Sequence, residues 1–157
     1  MASHDYTFVT RWRVRGTRED VWRVLEDPST LPQWWPSVYL DVKQIAGGTH
    51  DGVGREFDLW TRGWLPYTLR WRLRVSSSQR PAGFSIEASG DFVGTGEWTF
   101  TQDDEFVDIV YVWMIRAEKP LLKYFSFLFK PIFAANHRWA MTQGEASLRQ
   151  ELQRRSR

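Results

Sequence analysis

LPYTLRWRLRV, Leu65 to Val75, decides how the rest of the chain is read. Tyr67, Leu69, Trp71, Leu73 and Val75 fall on one side of an extended segment, and Thr68, Arg70, Arg72 and Arg74 on the other. Successive side chains of a strand point to opposite faces, so this alternation describes a strand with one dry face and one wet.

The same period of two runs outward from it. SVYLDVKQI, REFDLWTR, FSIEAS, GTGEWTFT and FVDIVYVWMIRA are strand candidates separated by Gly, Pro, Ser or acidic turn clusters. Their short connections predict a continuous antiparallel meander of six strands. Upstream, YTFVTRWRV, Tyr6 to Val14, supplies a seventh, with Phe8, Thr10, Trp12 and Val14 on one face. Gly16-Thr17 stops it. Thr17 suits an N-cap, with Glu19 and Asp20 in the first turn where carboxylates favour the helix dipole. Val21, Trp22 and Leu25 then give a short helix its inward stripe, and PSTLPQWWP reads as a second short helix or helical turn closed by Pro36.

Downstream, KPLLKYFSFLFKPIFAANHRWAM, Lys119 to Met141, opens a helical segment that reaches about Arg154. Pro120 suits a first helical position. Pro131 lacks an N–H and clashes with the preceding turn, which predicts two helices, or one sharply kinked: Leu121 to Phe129, then a longer piece from Pro131. In the longer piece Ile132, Ala135, Trp139, Thr142 or Gln143, and Ala146 form the expected inward stripe, while Arg138, Glu145, Arg149 and Glu151 face water. The order predicts an α+β fold: a curved antiparallel seven-stranded sheet wrapped around a long C-terminal helix, with two short helices between strands 1 and 2. Residues 1–157 are expected to form one domain.

A chain of 157 residues is long enough to bury roughly two thirds of its unfolded surface. Its 10 Trp, 10 Phe and 5 Tyr exceed what a small core needs, which points either to a ring-lined cavity or to a core packed with large residues. The net charge of +2 comes from 21 basic and 19 acidic residues, interleaved and without a recognition motif, which argues against a nucleic-acid partner. Zero cysteines exclude disulfides, thiolate nucleophiles and Cys-based metal sites. MASHDYTFVT shows no signal peptide, and a cytoplasmic location is expected. Lys123, Lys130 and Pro131 interrupt the apolar run well short of a membrane span.

DPSTLPQWWPSV after the first helix, GTGEWTF in a late strand and NHRWAMTQGEASL in the last helix resemble the START-like superfamily (SRPBCC, helix-grip fold). More narrowly, the chain looks like the bacterial polyketide cyclase/dehydrase and lipid-transport group, over essentially its whole length. The resemblance implies an elongated apolar cavity between sheet and helix, entered near the short helices and the strand-connecting loops. The superfamily includes lipid carriers, plant hormone receptors and aromatase/cyclases, so it implies a class of guest rather than one reaction.

Within that frame Trp34 and Trp35 stand at the cavity's end, where one ring could face ligand while the other packs under the first strand. Trp71, Trp98, Tyr111 and Trp113 fall on inward positions of adjacent strands and make an aromatic wall suited to a flat or polycyclic guest. Tyr67 and Tyr111 offer hydroxyls to a carbonyl. Phe125, Phe129 and Trp139 are further ligand contacts expected on the helix. Asn136, near the inward edge, could bond a ligand or a strand carbonyl. His137 is the sharpest catalytic candidate, but no Ser or Cys nucleophile pairs with it, and the stripe through Ala135 and Trp139 puts it at the helix flank, in reach of a strand end. Asp91 either pairs with an arginine at the cavity mouth or makes a turn.

GTGEW lacks the third glycine and the strand-to-helix context of a dinucleotide fingerprint, so Gly94 and Gly96 read as sites of bending or close approach. GGTHDGVG lacks the Lys-Ser/Thr of a phosphate-binding loop and reads as a turn. The three histidines are scattered without metal-ligand spacing, so neither metal nor cofactor is expected.

The first functional expectation is binding or carriage of a hydrophobic small molecule, lipid-like or polyketide-like. The second is a polyketide aromatase/cyclase-like enzyme using Tyr111, Asn136 or His137 without metal or nucleotide. A third takes Leu121 to Phe129, flanked by Lys119, Lys123 and Lys130, as a peripheral membrane contact or a lid. Ligand identity and oligomeric state are not readable from the chain.

Overall fold

The computed structural model describes the backbone of residues 5–63, 67–117 and 120–156, and the side chains of 6–63, 67–116 and 131–156. Alternation builds the sheet: β1 (Asp5–Arg15), β2 (Tyr39–Ala46), β3 (Glu56–Arg62), β4 (Thr68–Gln79), β5 (Gly83–Gly90), β6 (Phe92–Asp103) and β7 (Phe106–Ala117). They pair antiparallel in the order β1-β7-β6-β5-β4-β3-β2, so the six-strand meander closes back on β1. On β4 the expected split holds: Leu69, Trp71, Leu73 and Val75 are buried and Thr68, Arg70, Arg72 and Arg74 are exposed. Bulges between Val75 and Ser77 on β4, and between Tyr39 and Asp41 on β2, add local bend to a sheet that curves around its contents.

Between β1 and β2 lie α1 (Arg18–Leu25), a single 3₁₀ turn (Pro28–Thr30) and α2 (Leu31–Trp34). Thr17 caps α1 by accepting the Asp20 N–H at 3.1 Å, and Val21, Trp22, Val24 and Leu25 turn inward. Asp27 caps the 3₁₀ turn through the Ser29 N–H at 3.2 Å.

The C-terminal segment is one helix, α3 (Pro120–Arg155), with Pro131 inside it, not two helices. Its inward stripe also differs from the expected one. Ile132 is 41% exposed, and Thr142 and Ala146 face solvent. The buried positions are Phe133, Asn136, Ala140, Gly144, Leu148 and Glu151, spaced three or four apart as one helical face requires. Half of that face is not apolar, which is why hydropathy points one residue away. Glu151, expected in water, is buried with its charge held by Arg154 at 2.7 Å and Arg155 at 2.8 Å. Gly144 is a notch for Trp35: a methyl there would collide with the indole. Arg149 bonds the Arg13 carbonyl at 2.9 Å and Glu145 accepts the Arg13 N–H at 3.0 Å, which ties α3 to β1.

Candidate functional site

The curved sheet brings its inward rings onto facing strands. Trp98 on β6 stands opposite Tyr111 on β7, and the two rings stack at 4.1 Å and 15°. Gly96 stands opposite Trp113, where a Cβ would come within 2.9 Å of Tyr111 and 3.1 Å of Trp113, so the missing side chain lets both rings lean inward. Trp71 lies 5.5 Å from Trp113 and 5.9 Å from Phe92, and Phe92 reaches Phe133 on α3 at 6.0 Å. Trp12, Trp35 and Tyr39 continue the network at the end covered by α2, with centroids 5.7 and 5.0 Å apart.

Two hollows remain on the concave side of the sheet, the first under α1, the 3₁₀ turn and α2, the second under α3. The first, about 40 Å³, lies toward α1 and the 3₁₀ turn, walled by Trp22, Leu31, Trp35, Leu73 and Phe84 and rimmed by Glu26, Arg55 and Ser78. The second, about 80 Å³, lies toward the β3–β4 connection, walled by Trp113, Phe133, Asn136, His137 and Ala140 and rimmed by Arg62 and Gly63. Tyr39, Trp71, Trp98 and Tyr111 belong to both, so these four rings are a partition across the trough. A water needs about 10–15 Å³ and a dry cavity that takes benzene measures about 150 Å³. A ring-sized guest therefore enters only as the partition or the walls yield. Of the elongated cavity that the resemblance implies, only the second hollow lies against α3, and the space is divided and nearly closed.

The polar groups facing this interior are few. Trp71 donates its indole N–H to the Thr61 hydroxyl at 3.2 Å. The Trp35 indole nitrogen and His137 Nε2 are buried without a protein partner. His137 stacks on Phe8 at 4.1 Å, and burial, with Arg138 nearby, pushes its pKa down to about 4. The imidazole is therefore neutral at pH 7. Asn136 is buried with its amide pressed on the Gly63 backbone, where a methyl would collide with it. Burial raises the Tyr111 phenol well above its ordinary range, with Tyr39 adding to it, so Tyr111 stays protonated.

Trp35, Trp71, Trp98, Tyr111, Trp113, Asn136 and His137 thus face one hollow or both. Trp34 is buried but stands away from both, its indole N–H on the Thr30 hydroxyl at 3.2 Å. Trp139 packs at the edge of the core, half-buried. Tyr67, also half-buried, lines neither hollow; its hydroxyl is buried without a protein partner, and burial, with Tyr6, pushes its pKa up to about 12. Asp91 stands in the connection between β5 and β6 and accepts the Arg70 N–H at 2.9 Å. The side chains of Phe125 and Phe129, like those of all Leu121–Phe129, lie outside the described residues. Sequence reasoning passed over Tyr39, Thr61, Phe133 and Arg55. Only Arg55 carried a local signal, as the one charge closing a glycine-rich turn.

Comparison with solved structures places this architecture. The protein TTHA0849 from Thermus thermophilus superposes with a TM-score of 0.81 at 15% identity, covering 97% of this chain and 100% of its own. The Zhui aromatase/cyclase from Streptomyces sp. R1128 gives 0.73 at 19% identity, covering 98% and 97%. A point mutant of norcoclaurine synthase from Thalictrum flavum gives 0.63 at 14%, covering 98% and 97%. At such identities the likeness is one of fold. No curated protein matches in sequence. The model of the polyketide cyclase/dehydrase and lipid transport family matches residues 7–153, nearly the whole chain. With its helix-grip fold and ring-walled interior, this chain belongs to that family.

Proposed function

We propose that the protein binds or carries a hydrophobic small molecule, aromatic, polyketide-like or lipid-like, between the sheet and the helices that cover its concave side. One observation carries this reading: four rings shared by two adjoining hollows, Tyr39, Trp71, Trp98 and Tyr111, leave apolar space that a tightly filled core would not have. Ring faces stack on rings, which favours flat guests. The test is direct. N-phenyl-1-naphthylamine, neutral and fluorescent only when shielded from water, is expected to bind the purified protein saturably. Native mass spectrometry of undenatured protein is expected to show a co-purified apolar molecule. Absence of both sinks the reading.

A second reading is supported by His137. A neutral imidazole with a buried, unpartnered nitrogen beside Asn136 could take a proton from the methylene between two ketones, whose carbon then closes on a further ketone. A base with a pKa of about 4 is weak for that task at pH 7, which places cyclisation second. Carriage predicts that a poly-ketone surrogate is recovered no more cyclised than in buffer. Cyclisation above that background, lost in His137→Ala, reverses the order. Among the described residues no helix is long and apolar enough to cross a membrane.

A further inference from the structure

The turn GGTHDGVG ends on Arg55, and the turn is shaped around that side chain. Gly48, Gly52 and Gly54 all adopt positive φ, at +68°, +88° and +90°, which an L side chain rarely takes. A Cβ at Gly52 would lie 3.0 Å from Arg55 Nε and Nη2, and one at Gly48 would lie 3.0 Å from Arg55 Cγ and 2.6 Å from the backbone nitrogen of Arg55. The glycines therefore make a groove in which the arginine lies. Its Nε donates to the Gly52 carbonyl at 3.2 Å and its Nη2 to the Glu26 carbonyl at the end of α1 at 2.7 Å. The guanidinium lies 5.7 Å from the Phe57 ring centre.

Two of its five N–H groups are used in this way. The remaining three take no acceptor, and no carboxylate forms an ion pair with the group among the described residues. Nearby acids are committed elsewhere. Glu26 accepts the Trp22 indole N–H at 2.8 Å and stands 3.9 Å from Arg80; Glu19 holds Arg80; Asp51 takes the Thr49 hydroxyl and the Val53 N–H. Arg55 is also half-buried on the rim of the first hollow and borders the charged vestibule outside it. A cation removed from water without a counter-charge is costly unless something supplies one. An arginine whose fork is held from behind offers its open edge to a carboxylate with the bidentate geometry that group prefers.

We propose that Arg55 is an anion receptor at the cavity mouth: it takes the carboxylate head of an amphiphile whose apolar body lies in the first hollow. This rests on the ligand-binding reading and adds the chemical class of the guest.

The experiment uses the full chain with N-phenyl-1-naphthylamine as reporter and two competitors of one body, 4-phenylbutyrate and 4-phenylbutan-1-ol. The acid is expected to displace the reporter at about tenfold lower concentration than the alcohol, about 1.4 kcal/mol. In Arg55→Met that ratio falls to about one, and Arg55→Lys keeps part of it. Arg149→Met, on the part of α3 that packs on β1 and outside both hollows, leaves the ratio unchanged and rules out general attraction to basic surface. A cap on α1 alone would change stability but not the ratio. Equal competition by acid and alcohol in the unsubstituted protein, or a ratio indifferent to Arg55→Met, overturns the proposal. Should that variant fail to fold, the ratio is read in the unsubstituted protein at low and high salt. It must shrink as screening grows, and constancy overturns the proposal equally. If the reporter itself does not bind, the parent reading falls and takes this one with it. Reporter binding without head-group preference removes this one alone.

Discussion

His137 stacks on Phe8 while its Nε2 is shut away from both water and protein partners. Burial holds its pKa near 4, against 6.5 for an ordinary histidine. A depressed base binds its proton later in the folded chain than in the unfolded one. Stability is therefore complete above about pH 6.5 and is lost as pH falls toward 4, with a slope of at most about 1.4 kcal/mol per pH unit. Glu151, held down to about 2 by Arg154 first and Arg155 after it, loses its contribution only below about pH 4.5, so the two windows barely overlap. Urea midpoints between pH 7 and pH 5 are expected to drop for the natural chain and to drop clearly less for His137→Phe, which keeps a ring against Phe8. Parallel losses in both proteins would show that some other group titrates. The residue was visible in the sequence as the one histidine within a helix. Its place at the hollow was not, because that depended on which face of the helix turns inward.

That face explains what can and cannot be read from pattern. The strands were legible because every second residue of LPYTLRWRLRV, GTGEWTFT and FVDIVYVWMIRA is apolar, and nothing but a sheet puts those positions on one side. The inward stripe of α3 includes Asn136, Gly144 and Glu151, tolerated there for reasons that exist only in three dimensions. Asn136 lies on a bare glycine backbone, Glu151 is held by two arginines, and Gly144 receives a tryptophan ring. Gly144 gives the sharpest check. On a solvent-exposed helix, Gly→Ala stabilises by about 1 kcal/mol. Here the added methyl collides with Trp35, which is 1% exposed and held between Trp12 and Tyr39, so it has no room to withdraw. Gly144→Ala is expected to cost roughly 1–3 kcal/mol and to lower the Tm by roughly 3–10 °C. A Tm that rises instead would mean that α3 does not press on Trp35.

Inward rings are legible from a sequence; whether they fill an interior or merely line it is not, because that is settled by ångström differences in how far the helix stands from the sheet. Here the answer is intermediate: the trough is open in two places and blocked between them by Tyr39, Trp71, Trp98 and Tyr111. Trp98 and Tyr111 brace each other face to face, whereas Trp71 crosses its aromatic neighbours Phe92 and Trp113 at 75° and 50° and is anchored by one hydrogen bond to Thr61. Trp71 is therefore the ring whose removal joins the two spaces. Trp71→Ala is expected to cost roughly 3–5 kcal/mol, a loss that a chain of ordinary stability survives. The void it leaves has the shape of an indole and exposes the Thr61 hydroxyl that an indole N–H can bond again. Free indole at about ten times its Kd should then restore about 1.4 kcal/mol, a Tm increase of roughly 3–6 °C, while moving the natural chain less. Calorimetric scans of both proteins with and without indole measure this. Equal shifts would mean that the sheet and α3 close over the gap, and that the interior accommodates its guest by spreading apart rather than by moving one ring.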